Sequence, residues 1–146
     1  MMRFTVDARA FSDAMSKVSK VLRKSPLPIL EEIAVHVANG RCTLAATDMD
    51  TWLVAELPAR GDNVSFVFSR TKDVMKACAH FEGELALTFV PKDEKEGKIE
   101  ALCGQRAAEF SVTSHEDYPE CGIIEDGTSL CVNAAALYRR IERVRY

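Results

Sequence analysis

Asp48 and Asp50 flank a turn and are the first pair in this sequence whose spacing invites chemistry. Two carboxylates can hold Mg²⁺ when substrate oxygens complete the coordination shell, as in a metal-dependent phosphodiesterase. No third acidic or histidine ligand stands beside them, so Asp48-Met49-Asp50 reads as turn chemistry, the carboxylates bonding the local backbone. His36 falls within an expected strand, His80 at an expected helix end and His115 in a turn-rich segment. None adjoins a Ser or Cys in a nucleophile motif, and no glycine-rich phosphate loop is present. The cysteines, Cys42, Cys78, Cys103, Cys121 and Cys131, are odd in number and form no C-x-x-C pair, which reads as reduced core thiols. The sequence thus offers no catalytic residue, no metal site and no cofactor motif.

Charge is the more informative chemistry. Arg9, Lys17, Lys20, Arg23 and Lys24 stand against only Asp13 between residues 8 and 24. Arg70, Lys72 and Lys76 stand against Asp73, and Arg139, Arg140, Arg143 and Arg145 against Glu142. All three stretches have helical periodicity, yet the whole chain carries a formal net charge of −3, so acid is concentrated in strands and loops. A segregated basic helical layer suits a phosphate backbone, and an acidic surface elsewhere opposes non-specific collapse onto it. Without a recognition helix, zinc finger or stacking aromatic pair, such contacts would ignore base sequence.

The elements that must carry these groups follow from the pattern. Arg3–Val6 reads as a strand, and Asp7 as the N-cap of a helix whose apolar face is Phe11, Ala14, Met15, Val18 and Leu22. That helix ends near Lys24, because Pro26 and Pro28 forbid continuation. Ile33–Ala38, Cys42–Thr47 and Trp52–Leu57 alternate with period two, and Asn39-Gly40 is a tight-hairpin dipeptide, so the three form an antiparallel meander. Val64–Phe68 is a further strand, Ser69 a candidate cap for a second helix burying Val74, Ala77, Cys78 and Phe81. Glu84–Val90 and Lys98–Cys103 read as a hairpin, and Ala107–Ser114 as the last strand.

Leu27-Pro28-Ile29-Leu30, Ala46-Thr47-Asp48-Met49-Asp50, Arg3-Phe4-Thr5-Val6, Glu109-Phe110-Ser111-Val112 and Asp117-Tyr118-Pro119 follow one another in an order and spacing that resemble the N-terminal domain of the bacterial DNA polymerase III beta subunit, the replicative sliding clamp. The resemblance runs the length of the chain. It implies an α+β DNA-clamp fold, two helices packed on a mainly antiparallel sheet, and a non-catalytic processivity factor that tethers a replicative polymerase by encircling DNA. It implies as partners duplex DNA, DNA polymerase III and the clamp loader, in a ring-shaped homodimer in the cytoplasm. By position in the motifs, Lys24 and Lys72 match residues of the family that touch DNA. Arg23, Lys17, Lys20 and Lys76 are added from the helical faces. Phe110 and Val112 match the strand of the family's head-to-tail subunit contact, with ordinary sheet core as the competing reading for both.

A second copy of the opening pattern is visible at constant spacing, Phe4 on Leu130 through Phe11 on Leu137, with Met15 on Ile141 and Val18 on Val144. The expected division is a clamp domain at 1–122, a linker at 123–128 and, at 129–146, the strand and first helix of a second domain. The family's peptide cleft lies between later domains, so the chain is expected to be a fragment or a short homologue. No apolar run approaches the roughly 18 residues that span a bilayer, nor is there a signal-peptide core, which argues for a soluble cytosolic protein. The competing class is a protein-interaction module that pairs through its sheet edge without touching DNA.

Overall fold

The computed structural model describes residues 1–122 and 125–145. Among these, nine strands make one sheet, β1 (Met2–Asp7), β2 (Ala34–Ala38), β3 (Arg41–Thr47), β4 (Trp52–Pro58), β5 (Arg60–Gly61), β6 (Val64–Phe68), β7 (Glu84–Pro91), β8 (Glu96–Cys103) and β9 (Arg106–Thr113), in the order β4-β3-β2-β6-β9-β8-β7-β1-β5. Every pairing is antiparallel. Three helices accompany it, α1 (Ala8–Val18), α2 (Thr71–Cys78) and α3 (Ala134–Val144).

The order conceals a repeat. Strand, helix and three-strand meander occur twice, as β1-α1-β2-β3-β4 and as β6-α2-β7-β8-β9, and the first strand of each unit pairs with the other unit's meander. β1 lies along β7 with Phe4 opposite Leu87, and β6 lies along β2 with Phe66 opposite Val35. Each helix therefore crosses from one half of the sheet to the other. Side chains alternate on strands, so the paired positions Val35, Leu44, Phe66, Leu87, Ile99, Phe110 and Val112 share one face, and they are buried with Phe11, Met15, Val18, Val74 and Cys78 of the two helices. Both helices accordingly cover the same side. The tight turn forms as expected, with Asn39 and Gly40 at φ 52° and 78°.

Local chemistry explains the helix ends. Asp7 accepts a hydrogen bond from Ala10 N at 2.9 Å, and α1 tightens after Val18 into a 3₁₀ turn at Ser19–Val21 before the chain extends at Leu22. α2 departs from expectation: its N-cap residue is Arg70, which gives no side-chain cap, and Ser69 does not cap it. Thr71 N instead donates to Glu32 Oε2 at 2.6 Å, a partner 39 residues away. Leu27-Pro28-Ile29-Leu30 enters a second 3₁₀ turn, with Leu30 buried and Leu27 exposed.

Three expectations need correction. The last strand, β9, would have to lie at a sheet edge to make the subunit contact that the resemblance implies, but it sits between β6 and β8, and the outer strands are β4 and β5. Its ladder to β6 contains only Val67↔Thr113 and Phe68↔Val112, so residues 106–110 have no strand on that side among the described residues. Leu130–Val132, expected as a strand, forms none, because a strand needs a neighbour for its backbone groups and none of the described residues supplies one. α3 does form, with Asn133 Oδ1 accepting from Ala136 N at 3.0 Å, but no residue of it is buried. Cys42, Cys78 and Cys103 are buried thiols, whereas Cys121 and Cys131 are exposed. Burial pushes the Cys42 and Cys78 thiols up to about 12, which removes the thiolate that reactivity requires.

The outer face is mostly polar, with one covered patch. Tyr118 packs on Ala34 and Val67, and its hydroxyl lies 3.3 Å from both Glu32 O and Ala45 O, tying the 114–118 segment across β2 and β3. The His115 ring lies tilted against Tyr118 and His36 at centroid separations of 5.9 Å and 6.4 Å. Burial, and secondarily His36, depress its pKa; Glu120 opposes the shift.

Phe110 is 8% exposed and meets Phe68 edge to face at a centroid separation of 6.3 Å. Phe110→Ala is therefore expected to cost about 3 kcal/mol in chemical denaturation, and Phe110→Lys to unfold the domain; a folded Phe110→Lys chain would contradict the burial. Since the native pKa of His115 is depressed, the unfolded state binds more protons below about pH 6.5. Stability is then complete above that value and declines as pH falls through the window down to the native pKa. His115→Gln is expected to remove that portion of the slope in urea midpoints measured across the window.

Candidate nucleic-acid interface

Lys17 on α1 and Lys20 on its 3₁₀ extension are exposed, as are Arg23 and Lys24 in the extended chain that follows. Lys72 and Lys76 on α2 are exposed likewise. The end of the α1 segment and the start of α2 form the walls of an open cleft of about 760 Å³. Arg23 and Lys24 line one wall, Arg70 and Lys72 the other. Two residues singled out 48 positions apart in sequence thus meet in one depression, and Arg70 joins them. Arg70 counts in the sequence only toward the basic charge of the second helical stretch, and the approach of the chain after α1 is what places it beside Arg23 and Lys24. Lys17, Lys20 and Lys76 belong to the same helical layer but do not line the cleft.

Ion pairs occur on both sides of the molecule, Arg9 of α1 bonding Glu82 at 3.0 Å, but the lysines of the two helices are left out of them. On the sheet side Lys98 Nζ bridges Glu109 at 2.8 Å and Glu100 at 3.0 Å, and these hydrogen bonds, Glu109 first, raise its pKa. Arg41 pairs with Glu56 and Lys92 with Glu96. Lys17, Lys20, Lys24, Lys72 and Lys76 have no carboxylate within 4.0 Å among the described residues. Unpaired, hydrated ammonium groups on flexible stems keep their charge available to an external anion. Arg70 lies 3.7 Å from Asp73, a weak exposed pair. Arg23 is held differently, its Nε 3.7 Å from Asp48 Oδ2. α3 carries Arg139, Arg140, Arg143 and Arg145 on an exposed helix, with Arg145 Nη1 3.2 Å from Glu142.

Asp48 and Asp50 do not converge on a metal site. Asp48 Oδ1 accepts from Thr51 N at 2.8 Å and Asp50 N at 3.1 Å, which closes the turn around Met49 at φ 76°. The Thr51 bond, with smaller help from Asp50 and Arg23, holds the Asp48 carboxyl below the usual range. Among the described residues, no three His, Cys, Asp or Glu side chains are grouped to hold a metal ion. Phe110 and Val112 are both core residues on the helix-facing side, so neither side chain presents a surface.

Comparison with known proteins gives the same assignment. The family model for the DNA polymerase III beta subunit, N-terminal domain, matches residues 2–122. The chain belongs to that family. A beta sliding clamp from Lactococcus lactis is 24% identical over 144 residues, covering 94% of this chain and 37% of that protein. A Vibrio harveyi beta sliding clamp is 20% identical over 147 residues, 99% of each. The chain thus spans little more than a third of the Lactococcus lactis relative. The Pseudomonas aeruginosa DNA polymerase III subunit beta superposes with a TM-score of 0.82 at 19% identity, covering 97% of this chain and 38% of that one. This clamp domain therefore shares the fold of the family at low sequence identity.

Because Asp48 serves the turn, Asp48→Asn is expected to keep the thermal midpoint near that of the parent, its amide oxygen accepting the same bonds. Asp48→Ala should lower the midpoint by leaving two amides unpaired, and Mg²⁺ should shift neither; a Mg²⁺-dependent rise lost in Asp48→Asn would reopen the metal reading.

Proposed function

We propose that this chain works as the DNA-facing N-terminal part of a sliding clamp, a non-catalytic processivity factor that tethers a replicative polymerase to duplex DNA. The observation that carries the reading is the group of unpaired lysines Lys17, Lys20, Lys24, Lys72 and Lys76 on the two helices and the chain just after α1, with Lys24 and Lys72 in one cleft. Phosphates are the partner such a surface fits, and few neutralised phosphates mean weak, salt-sensitive, sequence-indifferent contact. Weak contact is compatible with long residence only where the protein encircles the duplex. A ring-shaped homodimer, with DNA polymerase III and a clamp loader as partners in the cytoplasm, completes the proposal and fits the relatives named beta sliding clamps.

Two further assignments belong to it. The division at 1–122, 123–128 and 129–146 makes α3 the first helix of a second clamp domain, whose arginines extend the basic layer. The subunit contact proposed at Phe110 and Val112 runs through the open backbone of residues 106–110, because both side chains are committed to the core.

In fluorescence anisotropy with a labelled duplex of mixed sequence at low salt, this chain is expected to bind weakly and alike for unrelated sequences. Lys24→Glu with Lys72→Glu should weaken binding by about tenfold and flatten the dependence of log K on log salt by about 2, one contact per lysine. Unchanged binding would remove both lysines from the interface. A marked preference for one duplex would instead indicate a sequence-specific protein.

A further inference from the structure

Glu31 and Glu32 lie in the basic cleft, yet neither has a Lys or Arg nitrogen within 4.0 Å among the described residues. Both carboxylates are spent on backbone amides. Glu31 Oε1 accepts from Ser25 N at 3.3 Å, directly after Lys24, and Glu32 Oε2 accepts from Thr71 N at 2.6 Å, between Arg70 and Lys72. The Thr71 hydroxyl answers by accepting from Ile33 N at 3.0 Å, so the two segments bond reciprocally across the cleft floor. Glu32 O and Ile33 O are in turn held, by the Tyr118 hydroxyl at 3.3 Å and by Phe68 N at 3.1 Å. A two-turn helix whose own N-cap gives no side-chain bond depends on such help, and a carboxylate suits the positive end of its dipole.

We propose that Glu31 and Glu32 brace the cleft, one residue holding each wall, and that Glu32 is a positioning residue that aims Arg70 and Lys72 of α2 at phosphate. The inference rests on the DNA-facing reading above and deepens it. It also predicts a sign opposite to simple electrostatics. A negative charge near phosphate repels it, so removing Glu32 should tighten DNA binding if charge were its only role. If the brace sets the spacing of the cations, removing the acceptor loosens the α2 wall and weakens binding, while glutamine, whose amide oxygen can take the same bond, restores it.

The test uses this chain with Glu32→Ala, Glu32→Gln and, for reference, Lys24→Glu with Lys72→Glu. Each is measured against a fluorescein-labelled duplex of mixed sequence across salt concentrations, with amide exchange at Thr71 followed in parallel. Glu32→Ala is expected to weaken binding about threefold and to speed exchange at Thr71, and Glu32→Gln to bind at least as tightly as the parent with parental exchange at Thr71. Equal tightening by both substitutions would overturn the proposal and leave Glu32 a plain repulsive charge. Unchanged Thr71 exchange in Glu32→Ala would overturn it as well. If only the lysine reference binds like the parent, the DNA reading fails, while the exchange rates still decide the brace. Should Glu32→Ala unfold, Glu32→Asp keeps the charge and shortens the reach; weaker binding then supports the brace and parental binding overturns it.

Discussion

The narrow seam between β6 and β9 is the constraint on which the rest of this domain depends. Two ladder pairs and the Ser69 N to Ser111 O bond at 3.0 Å join one half of the sheet to the other. Side chains supply what the ladder lacks. Phe66 lies beside Phe68, Phe89 and Phe4 at centroid separations of 5.2, 6.3 and 6.4 Å, and Phe68 passes the contact to Phe110 across the seam. Aromatic pairs in these geometries add about 1 kcal/mol each beyond their buried area, so the seam is held chiefly from its helix-facing side. The exchange of β1 and β6 between the two meanders reinforces it through the chain, because β1-α1-β2 and β6-α2-β7 each run from one half of the sheet to the other.

Holding the halves together decides where charge can go. Each helix runs from a strand in one half to a meander in the other, so both must lie on the side that buries the aromatic cluster. Their opposite faces then point one way, and every lysine on those faces joins a single layer. On the sheet's outer surface Lys98 satisfies Glu100 on its own strand and Glu109 on the next. Such pairs give little stability at an exposed surface, but they remove the cation from competition for an external anion. The gathering of unpaired lysines on the helical side is thus a product of topology as much as of composition.

The cleft between the α1 segment and α2 follows the same logic at shorter range. The α1 segment ends at Val21, earlier than the expected end near Lys24 and ahead of Pro26, and the 3₁₀ turn at Pro28–Glu31 then leads the chain to deliver Glu31 and Glu32 under the start of α2. A helix that lacks its own cap and a turn that carries spare carboxylates then solve each other's problem, bringing basic residues from two elements together.

Much of this was legible beforehand. Asp7, Asn39-Gly40 and Asn133 announce a cap, a hairpin turn and a second cap through local hydrogen bonding and positive φ, which short stretches of chain determine by themselves. Alternation and helical spacing marked nearly every strand and both packed helices, and the order of short motifs identified the family. Ser69 failed as a cap because the winning acceptor, Glu32, comes from far along the chain, and no local rule points to it. Arg70 reads in sequence only as part of a basic helical stretch for the same reason, since its place in the cleft depends on the wall opposite. Phe110 and Val112 alternate as any strand does, and only the fold, by setting β9 against β6 and laying helices over that face, decided that they are core. Sequence by itself determined the elements, their periodic faces and the sign of their charges, because these depend on neighbours within a turn or a hairpin. Tertiary structure alone decided which faces coincide, which cations stay unpaired and which carboxylates brace the cleft, because each requires two segments whose approach is set by burying one shared apolar face.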